Sequence, residues 1–251
     1  MKQSHRLISI LAALAVATGG LPAADAADTW AGQTFLSDYG KLQPAAGKAG
    51  HDYVYLTEVD PGRMGRFRKV LLDQPEVFIA ADSPYKGAKP ADLAAIASVV
   101  RSSVASALES RGYALAEQPS VDAVYVRLAV TDLRIEKKKR GLLAYTPVGF
   151  VVSTGVEALQ DFTAKYDILD MALQVEVQES TGHEVLGAAV VQRGKSADHG
   201  KPLSFDALSG LVTEYGERMA CRLDNSHVTP DRRIDCIDTE ARRQRPRVLG
   251  P

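Results

Sequence analysis

The run Asp167-Ile168-Leu169-Asp170-Met171-Ala172-Leu173-Gln174-Val175-Glu176-Val177-Gln178-Glu179 carries the clearest physical signal in the chain. Leu169, Met171, Leu173, Val175 and Val177 alternate with Asp170, Ala172, Gln174, Glu176 and Gln178. Successive strand side chains point to opposite faces, so the pattern predicts a strand with one buried face and one solvated face. A central strand of a parallel sheet would read as a nearly continuous apolar run instead.

Moving outward, Ser180-Thr181-Gly182 supplies turn chemistry, and Val185–Gln192 returns as a hairpin partner. Ala123–Ile135 is a second one-sided strand, with Val124, Val126, Leu128 and Val130 on its apolar face. Val70–Ala80 reads as the first core strand, and Pro75 requires an edge or a bulge. Tyr113–Ala116 and Asp52–Leu56 are short strands. Pro90 opens a helix whose stripe is Leu93, Ile96, Val100, Val104 and Leu108, and Gly112 stops it. Ser204 caps a second helix striped by Leu208, Leu211, Val212, Tyr215 and Met219. Between the strands, Gly141–Ala158 is apolar but broken by Pro147, Gly149 and Gly155, which suits a partly helical crossover. The expected fold is therefore α+β and two-layered. Its mixed or mostly antiparallel sheet has four to five strands, with two amphipathic helices on one face.

The N-terminus has a secretory layout. Lys2 and Arg6 precede the apolar run Leu7–Ala17, and Ala24-Asp25-Ala26 offers a small-residue cleavage site. Cleavage is predicted after Ala26, giving a periplasmic or secreted product with no nearby cysteine to carry a lipid. Removing Lys2, Arg6 and Asp25 turns 30 basic and 31 acidic residues into 28 and 30, a net charge of −2. That balance gives no global electrostatic reason to bind nucleic acid. Residues 27–66 read as an extended arm pinned to the domain by the Phe35–Tyr39 cluster, and 67–224 as a single α+β domain. Residues 225–251 read as a cysteine loop with a disordered, arginine-rich tail. Cys221 and Cys236 are the only cysteines, and an oxidising compartment favours a disulfide over two free thiols.

The chain offers little chemistry. Gly194-Lys195-Ser196 resembles the end of a phosphate-binding loop, but the glycine needed five positions earlier is Ala189. No Gly-x-Ser-x-Gly elbow occurs. His51, His183, His199 and His227 are scattered without metal-ligand spacing and are expected at the surface. Asp167 and Asp170, three apart on a strand, are expected on opposite faces. No catalytic residue, cofactor or metal ligand is expected. Asp170, Gln174, Glu176 and Gln178 form either a solvated sheet face or a polar docking surface. Lys137, Lys138, Lys139 and Arg140 make a basic knot that, with Leu142, Leu143 and Phe150, suits membrane-surface contact.

Several of these stretches resemble a bacterial envelope family known as domain of unknown function 3313. The first is Phe35-Leu36-Ser37-Asp38-Tyr39, followed by Leu42-Gln43-Pro44. The others are Lys69-Val70-Leu71-Leu72-Asp73 with Pro75, Leu128-Ala129-Val130-Thr131-Asp132-Leu133, Pro147-Val148-Gly149 and Ser180-Thr181-Gly182. The likeness covers most of residues 33–224 and implies envelope residence. Many proteins resembling the family carry a lipoprotein signal, from which this chain departs. The family supplies no catalytic residues. Together these readings predict an exported, non-enzymatic envelope protein that contacts another envelope protein. The alternative is a small-ligand binder or hydrolase with a cleft near residues 141–158.

Overall fold

The computed structural model describes residues 34–44, 53–56, 61–138, 156–192 and 202–247. Its centre is a pair of long antiparallel strands, β6 (Ala123–Lys137) and β7 (Tyr166–Glu179). Around them lie β1 (Gln43–Pro44), β2 (Tyr53–Leu56), β3 (Lys69–Leu72), β4 (Glu76–Ile79), β5 (Ala114–Leu115) and β8 (Val185–Gln192). The order across the sheet is β1-β2-β8-β7-β6-β3-β5, and β4 pairs with β6 beyond the end of β3. From β1 to β6 every pairing is antiparallel, whereas β3 and β4 run parallel to β6.

The α+β class is as expected, and among the described residues the sheet has eight strands where four or five were anticipated. The anticipated short strand Tyr113–Ala116 is there as β5, whereas β1, only two residues long, leaves no periodic trace in the sequence. The Val70–Ala80 run is two strands, because Asp73-Gln74-Pro75 interrupts it and proline has no N–H for a ladder.

The α-helices among the described residues are α1 (Pro61–Met64), α2 (Pro90–Ser110), α3 (Val156–Lys165), α4 (Phe205–Ser226) and α5 (Thr239–Gln244). Proline at the first turn starts α2, and Gly112, at φ 93°, ends it in the left-handed region. Ser204 Oγ accepts the Ala207 N–H at the start of α4. The stripes Ile96, Val100, Val104, Leu108 and Leu208, Val212, Tyr215, Met219 enter one core with Val126, Leu128, Leu173 and Val175. By composition α2 is long and apolar enough to cross a membrane, but that stripe is buried against the sheet. The two long helices approach closely where Ser103 Oγ donates to Val212 O at 3.1 Å. A Cβ on Gly216 would stand 2.9 Å from the Ser103 carbonyl oxygen, so only glycine fits there.

Two irregularities reset the alternation along the central pair. Asp132, at φ 51°, marks a bulge in β6. Beyond it Leu133 and Ile135 join Val124–Val130 on the helix-covered face despite their opposite parity. Register also shifts between Arg134 and Ile135, opposite the start of β7. In consequence Ile168, not Leu169, is the fully buried residue there. The same shift places Asp167 and Asp170 on one face, contrary to simple counting, and each meets a different cation.

The largest departure concerns the second face of the sheet. Gln174 is 0% exposed and Glu176 1%, so the face expected to be wet is covered. Phe35, Leu36 and Leu42 lie across it and pack with Ala129, Ala188 and Val190 in a separate apolar cluster. The domain has a third layer, formed by the segment just before β1. The C-terminal stretch departs too: Ile234, Cys236, Arg242 and Arg245 tie it to the end of α4, with Arg242 4% exposed, where a disordered tail was expected.

Candidate functional site

The residues singled out as a docking face are held internally. Glu176 accepts four hydrogen bonds: from Ser37 N at 2.7 Å, Ser37 Oγ at 3.0 Å, Arg127 Nη1 at 3.0 Å and Gln178 Nε2 at 2.7 Å. A buried carboxylate persists only when its oxygens are this fully satisfied. Tyr39 OH donates to Gln174 Oε1 at 2.7 Å and accepts the Phe35 and Leu36 N–H groups, each at 3.2 Å. Gln174 Nε2 donates in turn to Thr131 Oγ1 at 3.2 Å. Arg127 stacks its guanidinium 4.7 Å from the centre of the Phe35 ring. Asp170, half-buried, stands 3.6 Å from Arg134. Gln174, Glu176 and Gln178 therefore clasp the chain's own arm, and the reading of them as a free docking surface is corrected. The Phe35–Tyr39 stretch is the other half of that clasp.

The remaining candidates divide cleanly. Lys137 is exposed, with its ammonium 5.6 Å from the centre of the Tyr85 ring. Lys138 donates to Thr163 O at 2.7 Å and pairs with Asp167 at 3.3 Å. Lys139, Arg140 and residues 141–155 of the anticipated cleft lie outside the described residues, as do His51, His199 and Gly194-Lys195-Ser196. His183 sits exposed in the β7–β8 turn, as a surface histidine should. His227, expected at the surface, is half-buried at the end of α4 against Tyr113. Burial, with Arg68 adding to it, pushes its pKa down to about 4.

Cys221 and Cys236 are joined, with an S–S length of 2.03 Å. The loop between them is clasped by Asn225, which donates to Ile234 O at 2.9 Å and accepts the Ile234 N–H at 3.1 Å. Arg242 donates to Cys236 O at 2.7 Å and to Glu217 at 3.2 Å. Beneath them lies Asp224, 0% exposed, which accepts the Tyr113 hydroxyl at 3.1 Å and faces Arg111 at 3.4 Å. Burial raises the Asp224 pKa, and Arg111 opposes the shift.

One further cluster has the composition of a catalytic site. Asp92 accepts Lys165 Nζ and Tyr166 OH, both at 2.8 Å, and Lys165 also meets Asp161 at 2.6 Å. Burial lowers the pKa of Lys165, but Asp161 and Asp92 outweigh it and leave the amine above its ordinary value. An amine that holds its proton this way is neither base nor nucleophile. The cluster ties the start of α2 to α3 and β7. Among the described residues no group of three or more His, Cys, Asp or Glu side chains is placed to hold a metal ion.

What sequence reading missed is a groove between the C-terminal half of α4 and the β7–β8 hairpin. Its enclosed space is only about 40 Å³, against about 530 Å³ when the open solvent at its mouth is counted. Val177, Leu186, Ala189, Val191, Met219 and Leu223 line it, with Val54 of β2 and Met64 of α1. Arg222 and Ser226 are the polar lining residues. The signal was present in β8, where Gly187 and Ala189 leave room that larger strand residues would fill.

Fold and site together define an α+β domain with a strapped sheet, a disulfide-closed C-terminal loop and an apolar groove. The chain belongs to the family described as protein of unknown function (DUF3313), whose profile matches residues 31–219. Among curated proteins, none matches its sequence. Of solved structures, it is similar to a PelC dodecamer from Paraburkholderia phytofirmans at 16% identity. That match covers 68% of this chain and 96% of the other, with a TM-score of 0.37. A DUF4136 family protein from Bacteroides thetaiotaomicron is 9% identical over 70% of this chain and 96% of its own, with a TM-score of 0.36. At these scores neither likeness bears on function.

Proposed function

We propose that this is an exported, non-enzymatic protein of the cell envelope that acts by binding. The Cys221–Cys236 disulfide carries the reading, because such bonds persist in oxidising compartments and are rare in the cytosol. The leader of Lys2, Arg6, Leu7–Ala17 and Ala24-Asp25-Ala26 supports it independently. The bond ties Cys221, in the last turns of α4, to Cys236 in a loop held by Asn225 and Arg242, so it closes a built element and not two loose ends. The test is fractionation of cells making the full chain, with N-terminal sequencing and thiol counting. A periplasmic product beginning at Ala27, with no free thiol before reduction, is expected. A cytoplasmic product that retains residues 1–26 and two titratable thiols would overturn the proposal. For the binding role, crosslinking in intact envelopes is expected to capture the protein on a specific envelope partner. Substrate turnover by the purified protein would count against it.

A second reading, a binder of small ligands, is favoured by the groove beside β8; residues 141–155 of the anticipated cleft lie outside the described residues.

A further inference from the structure

We infer that the open edge of β4 is a self-association surface, on which a second copy of this chain adds its own β4 antiparallel about a two-fold axis. The inference goes beyond the binding role proposed above and does not depend on export. It begins with how the sheet ends. β1 and β5 lie at its margins but are only two residues long, and β1 closes on Pro44. Short strands and proline blunt an edge against further pairing. β4 is not blunted in this way. Its four residues, Glu76-Val77-Phe78-Ile79, include neither proline nor lysine, and among the described residues it pairs only with β6. Ala80 N donates to Leu133 O at 3.0 Å, so by alternation Phe78 also turns its amide and carbonyl towards β6. The backbone polar groups of Val77 and Ile79 point outward instead, as a template for one more strand.

The side chains indicate what that strand must carry. Val77 and Ile79 pack inward on the helix-covered core, which leaves Phe78 on the strapped face, 39% exposed. Among the described residues, Phe78 and Val121 are the large apolar side chains that stand exposed. A copy running antiparallel with Phe78 opposite Phe78 makes a non-hydrogen-bonded pair, the closer of the two kinds, and brings the two rings together. Charge selects a second copy over an unrelated strand. At the start of β4, Asp73 meets the Tyr125 hydroxyl and no cation, and Glu76 shares Arg127 with Glu176. Just beyond its end, the carboxylate beside exposed Lys86 is Asp82, which already holds Arg134 at 2.9 Å. Lys137 lies there over the Tyr85 ring, and exposed Glu136 offsets only part of this charge. The edge is therefore acidic where it begins and basic where it ends. A parallel pair of copies sets like charges together, whereas the antiparallel two-fold sets opposite charges together.

The experiment uses the purified mature protein with its disulfide intact. Sedimentation equilibrium over a range of concentrations is expected to show a monomer–dimer equilibrium. Added sodium chloride is expected to weaken the dimer, since opposed charges hold its ends. Phe78→Lys is expected to raise the dissociation constant about thirtyfold, as loss of an aromatic anchor does. Its unfolding midpoint, measured where both proteins are monomeric, is expected to match that of the unaltered chain, because the side chain replaced is exposed. Phe78→Cys under mild oxidation is expected to give a disulfide-linked dimer. Val121→Cys, more exposed but placed before the start of β6, is not. That pair reads contact at β4 directly and does not depend on whether Phe78→Lys folds. A monomer at every concentration overturns the inference. So does unchanged dimerisation of folded Phe78→Lys, a dimer strengthened by salt, or crosslinking through Val121→Cys as efficient as through Phe78→Cys. If the protein is periplasmic but monomeric, this inference alone falls; if it is cytoplasmic but dimeric through β4, the export proposal alone falls.

Discussion

The two faces of the central sheet are both dry, and they are dry for different reasons. On one, Val126, Leu128, Leu173 and Val175 meet the stripes of α2 and α4 in a core built of apolar contacts. On the other, Gln174, Glu176 and Gln178 are buried only because Ser37, Tyr39 and Arg127 complete their hydrogen bonds. The first face is stabilised by area removed from water, which tolerates imprecision in any one contact. The second depends on geometry, since each unmatched donor or acceptor would be left without water. A polar pattern on a strand thus identifies the kind of cover the face needs, not whether it is covered.

Substitutions that act on one face at a time sharpen this contrast. Leu173→Ala should leave a cavity on the helix side and lower stability by about 3–4 kcal/mol, read from the urea midpoint at unchanged slope. On the strapped side, Glu176→Ala should cost about 3 kcal/mol, because Arg127 and the Ser37 N–H lose their acceptor in a buried place. The figure sits at the low end for buried pairs, since Arg127 keeps Glu76 within 3.7 Å. If Glu176→Ala were neutral, the strap would be an ornament of the surface.

A third test concerns the end of the helix layer. His227, with a folded pKa of about 4 against the ordinary 6.5, is neutral in the native protein through the range where the unfolded chain takes up a proton. Its contribution is fully present above pH 6.5 and is lost as pH falls towards 4. The loss should reach about 2 kcal/mol once its partial exposure is allowed for. In His227→Asn the fall in stability across that window should shrink; an unchanged profile would place the acid sensitivity elsewhere. The smallest effect is expected from Tyr39→Phe, about 1 kcal/mol, because one hydroxyl that both donates and accepts is removed. Amide exchange of Phe35 and Leu36 should rise with it.

Much of the helix-covered face was legible beforehand. The apolar positions of Pro90–Ser110, Ala123–Lys137 and Phe205–Ser226 announce their periods, and proline, glycine and serine mark helix ends. The strap was not, because Ser37 and Glu176 are 139 residues apart and no local pattern connects them. One sign of it was overlooked: Leu186–Val191 is apolar without alternation, which is how a strand covered on both faces reads. The bulge at Asp132 and the shift near Ile168 hid because counting by twos assumes an unbroken ladder. The C-terminal stretch looked solvated from its arginines, yet Arg242 is buried by carbonyl groups that composition does not display. The groove lay open to notice only as a pair of small residues, Gly187 and Ala189.

Solvent access at position 174 tests the central claim most directly. Gln174→Cys in the mature protein, with the native disulfide retained, is treated with a water-soluble maleimide under native conditions. Under a closed strap the thiol should stay unmodified until denaturant is added, at a rate far below that of the unfolded chain. Labelling in the folded protein as fast as in the unfolded control would mean that this face is wet, and the three-layered account would be wrong.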